Sequence, residues 1–424
     1  MTDSKFSNIL LIGIVAALIL AWITVSLSPE FAVSTAWLGT FFLTALKMII
    51  VPLVLASVVM GMARLGDIRK ASGATLRTLG YYALTTSISV FIGVLIVVMI
   101  APGSGIAETT DMAALAVDEA ITAKGDLGPT DIILSFIHPN IFGAMGQPDM
   151  LPVIVFSLIL GAILTTMGEK GKPLIAFFDS LYEAMMKFVL LILWIAPIGI
   201  YGLVAGKFGE AAMTDGGIAA LFAGLARFCA AVIGGLSFHA LVILPLLCWL
   251  LARRNPFKYG LALSPALLTA FSTASSSGTL PVTIESATVR GGVSDRAAGF
   301  VLPLGATVNM DGTALYEAVA VIFICQAFNI DLTLGQLITI FILATVTSIG
   351  AAGVPSASIA FIVIILTSVF PENPPVAGLA LILPVDWFLD RLRTTVNVWG
   401  DAIGAAVIDR TLPPTEEEMV GETA

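Results

Sequence analysis

"FLDRLRTTVNVWGD", residues 388–401, leads out of an apolar run into "AIGAAVI", yet it carries Asp390, Arg391, Arg393 and Asp401 around the amide Asn397. On an α-helix, Asp386, Asp390, Arg393, Thr394, Asn397 and Asp401 share one stripe about 100° wide. Leu389, Leu392, Val396, Val398 and Trp399 fill most of the remaining surface. Arg391 stands about 100° off the stripe and needs a different partner. One charge at the centre of a bilayer costs about 2.5–3.5 kcal/mol. Several on one face therefore imply a polar cavity walled by protein. A structural ion pair between Asp390 and Arg393, at i and i+3, is the plainer alternative. It leaves Asn397 and Asp401 without a reason.

The rest of the chain says that this segment does lie in a membrane. Of 424 residues, 58% are hydrophobic and only 12% charged, about half the charged share of a soluble domain. Phe6–Pro29, Thr78–Ala107, Phe188–Gly206 and Phe228–Ala252 contain no Asp, Glu, Lys or Arg, and about 20 apolar residues suffice to span a bilayer. The sequence therefore predicts an all-α polytopic membrane protein. The first run is too long for a signal-peptide core and is kept as a helix. Cys229, Cys248 and Cys325 lie in apolar runs without metal-ligand spacing. The net charge of −9 comes largely from the solvated segment 107–126 and the tail, neither of which resembles a nucleic-acid surface.

Basic residues at Arg64, Arg69, Lys70 and Arg77, at Lys170 and Lys172, and at Arg253, Arg254 and Lys258 mark the cytoplasmic side. The acidic 107–126 segment then falls outside. Helices are expected near 7–28, 37–63, 78–101, 151–167, 174–204 and 217–252. Beyond residue 256 the pattern changes. "LLTAFSTASSSGTLPVTIESA" (267–287) and "TSIGAAGVPSASIAFIVII" (347–365) are small, polar and broken by Gly and Pro. Such paired interruptions point to a substrate site at a repeat interface. They predict two re-entrant helical hairpins, 256–290 and 333–372, with two kinked spans as the alternative. Helices near 296–325 and 375–408 follow them.

A second polar island, "ATVNMDGTALYE" (306–317), brings Asn309, Asp311, Thr313 and Glu317. Gly312 suggests that the helix unwinds there. Oxygen donors without Cys or His suit a hard cation such as Na⁺. A cavity-facing arginine suits a carboxylate held bidentately, and Asp390 suits an ammonium. The residues alone thus suggest sodium-coupled binding of a zwitterion. Tyr82, Thr85 and Thr86 offer hydroxyls in another span, although such groups often bond only their own helix.

"SSSGTLP" (275–281), "NMDGTALYE" (309–317), "GAAGVP" (350–355) and "DWFLDRLRTTVNVWGDA" (386–402) resemble the signatures of the glutamate transporter family, the dicarboxylate/amino acid:cation symporters. The resemblance implies eight transmembrane helices plus two re-entrant hairpins in an inverted-repeat elevator transporter, assembled as a homotrimer. Residues 1–77 and 102–210 would be scaffold, 78–101 and 211–410 the transport domain, and 411–424 an acidic tail. The setting would be the cell (inner) membrane, multi-pass, with both termini cytoplasmic. Carried over, Asp390 would take the substrate amino group, and Arg393 with Thr313 the side-chain carboxylate. Thr394 belongs to the same substrate set. Asn397, Ser276, Ser277 and the backbone of Gly353 and Val354 would hold the main-chain carboxylate. Asp401 with carbonyls near Gly305, Asn309 and Asn397 resembles one sodium site. Carbonyls of Thr307, Ser348, Ile349 and Ala351 resemble a second. Asp311, Asn309, Tyr82, Thr85 and Thr86 resemble a third.

Two departures from the archaeal pattern, Arg391 with Ala274 and Glu317, resemble the animal excitatory transporters. A glutamate in an apolar site can carry a proton, so Glu317 is the candidate for H⁺ cotransport and, with Arg391, for K⁺ countertransport. The second hairpin also carries Ser356 and Ser358 where glycine or alanine is frequent. The expected activity is sodium-coupled uptake of L-glutamate or aspartate. The alternative is neutral amino-acid or C4-dicarboxylate transport; Arg393 argues against the first and Asp390 against the second. An intramembrane hydrolase would need a base, and only His138 and His239 exist, neither near the serine motif in sequence. The expectation is not an enzyme.

Overall fold

The computed structural model describes residues 3–63, 73–106, 134, 137–146, 150–214, 216–349, 358–371 and 373–412. Every element among them is helical. Ala351, Gly353, Val354, the acidic 107–126 segment and residues 413–424 lie outside the described residues, as do Arg64, Arg69 and Lys70.

The chain begins with α1 (Asp3–Leu27), the short α2 (Pro29–Ser34) and α3 (Ala36–Ala63), followed by α4 (Gly73–Ile100). After α5 (Ile141–Gly146) and α6 (Met150–Thr166) comes α7 (Lys172–Ala212), which runs past its expected end near residue 204. Helix α8 (Gly217–Ala252) widens into π turns at His239–Ile243 and Cys248–Ala252. Pro245 lies between them; it has no N–H and crowds the carbonyl four residues back, so a regular ladder cannot pass through. Helices α1, α3, α6 and α7 pack chiefly on one another, whereas α4 and α8 pack on the C-terminal half.

In that half, α9 (Pro256–Ala262) and α10 (Ser264–Thr273) are followed by α11 (Ser276–Glu285). Helices α10 and α11 pack together, and the turn between them is tight: Ala274 takes a left-handed φ of 50°. The next residue, Ser275, is extended, and its Oγ accepts from the Gly278 N–H at 3.0 Å, capping α11. The pair α14 (Leu334–Ile349) and α15 (Ser358–Val369) also packs together.

Between the two pairs lie α12 (Asp295–Val308) and α13 (Asp311–Ala327). In α13 every residue except Gln326 is buried. A helix buried all round is a core element, and α13 touches α4, α8, α14, α15 and α16 (Leu379–Thr411). Among the described residues, Gly73–Ile100, Gly217–Ala252 and Asp295–Ala327 are long and apolar enough to cross a membrane.

The break between α12 and α13 falls at Asn309 (φ −102°, ψ 87°) and Met310 (φ −113°, ψ 54°), not at Gly312 as the sequence suggested. Gly312 is needed for a different reason. A Cβ there would meet the Arg393 carbonyl oxygen at 2.6 Å and its Cα at 2.9 Å, both backbone atoms that cannot swing aside. Gly312→Ala is therefore expected to push α13 off α16 and to destabilise the fold by about 1–3 kcal/mol. A thermal unfolding midpoint equal to wild type would refute this.

At the far end of α16, Asp409 closes a clasp. The Arg254 guanidinium bonds the carbonyls of Gly291 and Gly292 and, at 2.9 Å, Asp409 Oδ2. Asp409 Oδ1 accepts from the Ser294 N–H at 3.1 Å, just where α12 begins.

Candidate functional site: a buried charged cluster around a helix break

The stripe on α16 faces α13. Arg393 is wholly buried and lies over the Tyr316 ring, 3.8 Å from its centroid. Its Nη1 donates to Ser358 Oγ at 2.8 Å, at the first residue of α15. Its Nη2 lies 2.8 Å from Asp390 Oδ1 and 3.1 Å from Asp386 Oδ1. Nη2 is thus shared between two carboxylates, and Nε has no hydrogen-bond partner among the described residues. These two groups form the side-on edge of the guanidinium, the one that grips a carboxylate with two parallel bonds. Two carboxylates thus balance the guanidinium charge, while its Nε–H keeps no partner among the described residues.

One turn further along α16, Asn397 spans the break. Its Oδ1 accepts from the Gly312 N–H at 2.7 Å, satisfying one of the donors left open at a helix start. Its Nδ2 donates to Thr313 Oγ1 at 3.1 Å. Thr394 is buried beside them. Asp401 Oδ1 accepts from Asn309 Nδ2 at 3.0 Å. Gly305 makes room for it, since a Cβ at that position would come within 2.4 Å of Asp401 Oδ1.

The hydroxyl cluster on α4 does more than bond its own helix. Thr86 Oγ1 donates to Asp311 Oδ1 at 2.7 Å, and Thr85 Oγ1 to Asn309 Oδ1 at 3.2 Å. Ser89 Oγ donates to the Asp311 carbonyl at 2.8 Å. Tyr82 behaves differently: its hydroxyl donates to the Val301 carbonyl at 2.7 Å, reaching α12 rather than Asp311. Asn309 in the break, Asp311 on α13 and Asp401 on α16 thus form one buried group of oxygen-rich side chains.

Other expected residues fall around this centre. Ser276 is buried at the start of α11, whereas Ser277 is exposed. Thr307 is half-buried and bonds the Leu304 carbonyl. Ser348 and Ile349 end α14, where the last four carbonyls lack helical partners. Glu317 is fully buried; Oε2 accepts from Thr347 Oγ1 at 3.0 Å, and Oε1 has no partner among the described residues. Arg391 finds the partner that its off-stripe position demanded. Its Nη1 donates to the carbonyls of Phe271 and Ser272 at 2.9 and 2.7 Å, and it lies over the Trp387 ring. It therefore bonds the C-terminal turn of α10, the negative end of that helix.

Asp386, Tyr316, Ser358, Thr347 and His239 also belong here but were not among the expected site residues. Asp386 shares the stripe, which was its signal. Ser358 stood out only as an unusual serine on the second pair; its bond to Arg393 gives it a purpose. The other three carry no periodic signal, because they are defined by contact between distant segments.

These features define the class: a multi-pass membrane protein with a buried, charged cluster of oxygen donors around a helix break. The profile of the sodium:dicarboxylate symporter family matches residues 6–411, and the chain belongs to that family. It is a transporter, not an enzyme. Among similar proteins, excitatory amino acid transporter 1 of Ambystoma tigrinum is 40% identical over 425 residues, covering 88% of this chain and 76% of that protein. Excitatory amino acid transporter 3 of Homo sapiens is 37% identical over 466 residues, covering 97% and 87%. Human excitatory amino acid transporter 1 is 49% identical over 267 residues, covering 63% and 48%.

Proposed function

We propose that the protein takes up acidic amino acids, L-glutamate or aspartate, driven by sodium. One observation supports this most: the buried Arg393 guanidinium has an Nε–H without a partner among the described residues, while Asp390 lies one helical turn away. A carboxylate fits the first and an ammonium the second, so the ligand is an acid that also carries an amine. Thr313, Thr394, Asn397, Ser276 and Ser277 complete the substrate set, with the backbone of Gly353 and Val354. Sodium is carried in three places. Asp401 with Gly305, Asn309 and Asn397 forms one. Asp311 with Asn309, Tyr82, Thr85 and Thr86 forms another. The carbonyls of Thr307, Ser348, Ile349 and Ala351 form the third.

The same reading makes the chain eight spans with two re-entrant hairpins. Residues 1–77 and 102–210 are the scaffold of a homotrimer in the inner membrane, and 78–101 and 211–410 a sliding transport domain. Both termini are cytoplasmic. The separate packing of α1, α3, α6 and α7 supports this division.

The test is uptake of labelled L-aspartate and L-glutamate into liposomes under an inward sodium gradient, with and without internal potassium. Sodium-driven accumulation of either substrate is expected. Its absence for both would move the reading to neutral amino acids or C4-dicarboxylates, with Arg393 only an ion partner of Asp386 and Asp390.

Glu317, enclosed and with one oxygen unpartnered, is the proposed proton carrier, with potassium as counter-ion on the return. Glu317→Gln is expected to remove the response of uptake to an imposed pH gradient while sodium dependence persists. Unchanged pH coupling in the variant would rule the role out.

A further inference from the structure

We propose that His239 is a positioning residue for the Asp311 cation site: its imidazole fixes the rotation of the Asp311 carboxylate and thereby sets the affinity of that site for sodium. The inference rests on the sodium reading of Asp311 given above. His239 and Asp311 are both fully buried, with Nε2 3.2 Å from Oδ2. An ionised carboxylate can only accept, so the hydrogen of this bond is on Nε2. The opposite oxygen, Oδ1, is held by Thr86 at 2.7 Å. Each oxygen therefore has one side-chain donor, from α8 and from α4, and the carboxylate cannot turn about its axis without losing a bond.

The backbone around His239 is built to hold this arrangement. His239 opens the π turn of α8, and such turns frequently mark functional sites. The carbonyl of the next residue, Ala240, accepts from the Trp399 indole N–H at 3.2 Å, which fastens the turn to α16. Beside Trp399, Gly400 leaves the Asp311 carboxylate room: a Cβ there would stand 3.0 Å from Oδ2. The imidazole Nδ1 has no partner among the described residues. A histidine present only to be satisfied would engage both nitrogens; this one spends its single bond on Asp311. Partners of metal-ligating groups orient the ligand, and their loss commonly weakens metal binding about 10–100-fold.

Two substitutions separate positioning from filling space. His239→Phe keeps a ring and removes the donor; His239→Gln loses the ring and keeps an N–H donor. Sodium would be titrated onto purified full-length protein without amino acid, and thermal unfolding measured alongside. The expected result is a half-saturating sodium concentration raised about 10–100-fold in His239→Phe and close to wild type in His239→Gln. An unshifted phenylalanine variant, or equal shifts in both, would overturn the proposal. Should His239→Phe fail to fold, His239→Met supplies the side chain without a donor and is judged in the same way. Asp311→Asn distinguishes the levels of the argument. If it leaves sodium binding intact, the sodium reading of Asp311 and this inference both fall. If it abolishes binding while the donor-free variants do not shift, only the inference falls.

Discussion

Arg393→Ala is expected to lose uptake of glutamate and aspartate by at least about 100-fold, because two charge-assisted hydrogen bonds contribute about 1.5–3 kcal/mol each. The substitution has a second effect that must be separated from the first. Asp386 and Asp390 are 2% and 9% exposed and both lie against the guanidinium. Removing the cation strands two carboxylates, and breaking a buried pair typically destabilises by about 3–5 kcal/mol. A fall in thermal stability is therefore expected together with the loss of uptake. Adding Asp386→Asn relieves the repulsion and should recover much of the stability without recovering acidic substrate uptake. If the double variant regains uptake, Arg393 serves only to balance charge, and recognition of the substrate carboxylate lies elsewhere.

Asp401→Asn is the second large expectation. The amide has nearly the same shape, so the Gly305 niche still admits it and the contact with Asn309 can be kept. What disappears is one buried negative charge. A unit charge about 4 Å from a cation is worth about 4 kcal/mol at the effective dielectric of a protein, and part of that is offset by the lower cost of burying a neutral group. The half-saturating sodium concentration should rise at least about 10-fold, with substrate affinity at saturating sodium nearly unchanged. Sodium titration of both properties in one preparation checks this. An unaltered sodium dependence would make Asp401 a structural acid bonded to Asn309 and nothing more.

The sequence disclosed the charged cluster unevenly, and the pattern has a physical cause. Asp386, Asp390, Arg393, Asn397 and Asp401 lie on one unbroken helix, α16, so a fixed angular step places all of them on one face. The same step placed Arg391 off the stripe, and the α10 carbonyls are its partner. Where the helix breaks, the step fails. The turn between α12 and α13 fell at Asn309 and Met310 because Asn397 caps the new helix start, an interaction across 85 residues. Gly312 looked like the hinge but is a contact surface for Arg393. Thr85 and Thr86 were undecided between their own helix and the site, since a serine or threonine in a span reads alike in both cases. His239 was weighed only as a catalytic base; its tie to Asp311 spans 72 residues and leaves no trace in local periodicity.

The Arg254–Asp409 clasp bears on how the protein can be handled. One carboxylate serves both the guanidinium after α8 and the backbone at the head of α12, so α16 is anchored close to its C-terminal end. A tag or fluorescent fusion placed beyond Leu412 leaves every one of these bonds in place. Trimming the chain before Asp409 withdraws the shared acceptor and releases the joints around α8, α12 and α16 in a single cut. A shortened or tagged form of the protein should therefore keep Asp409.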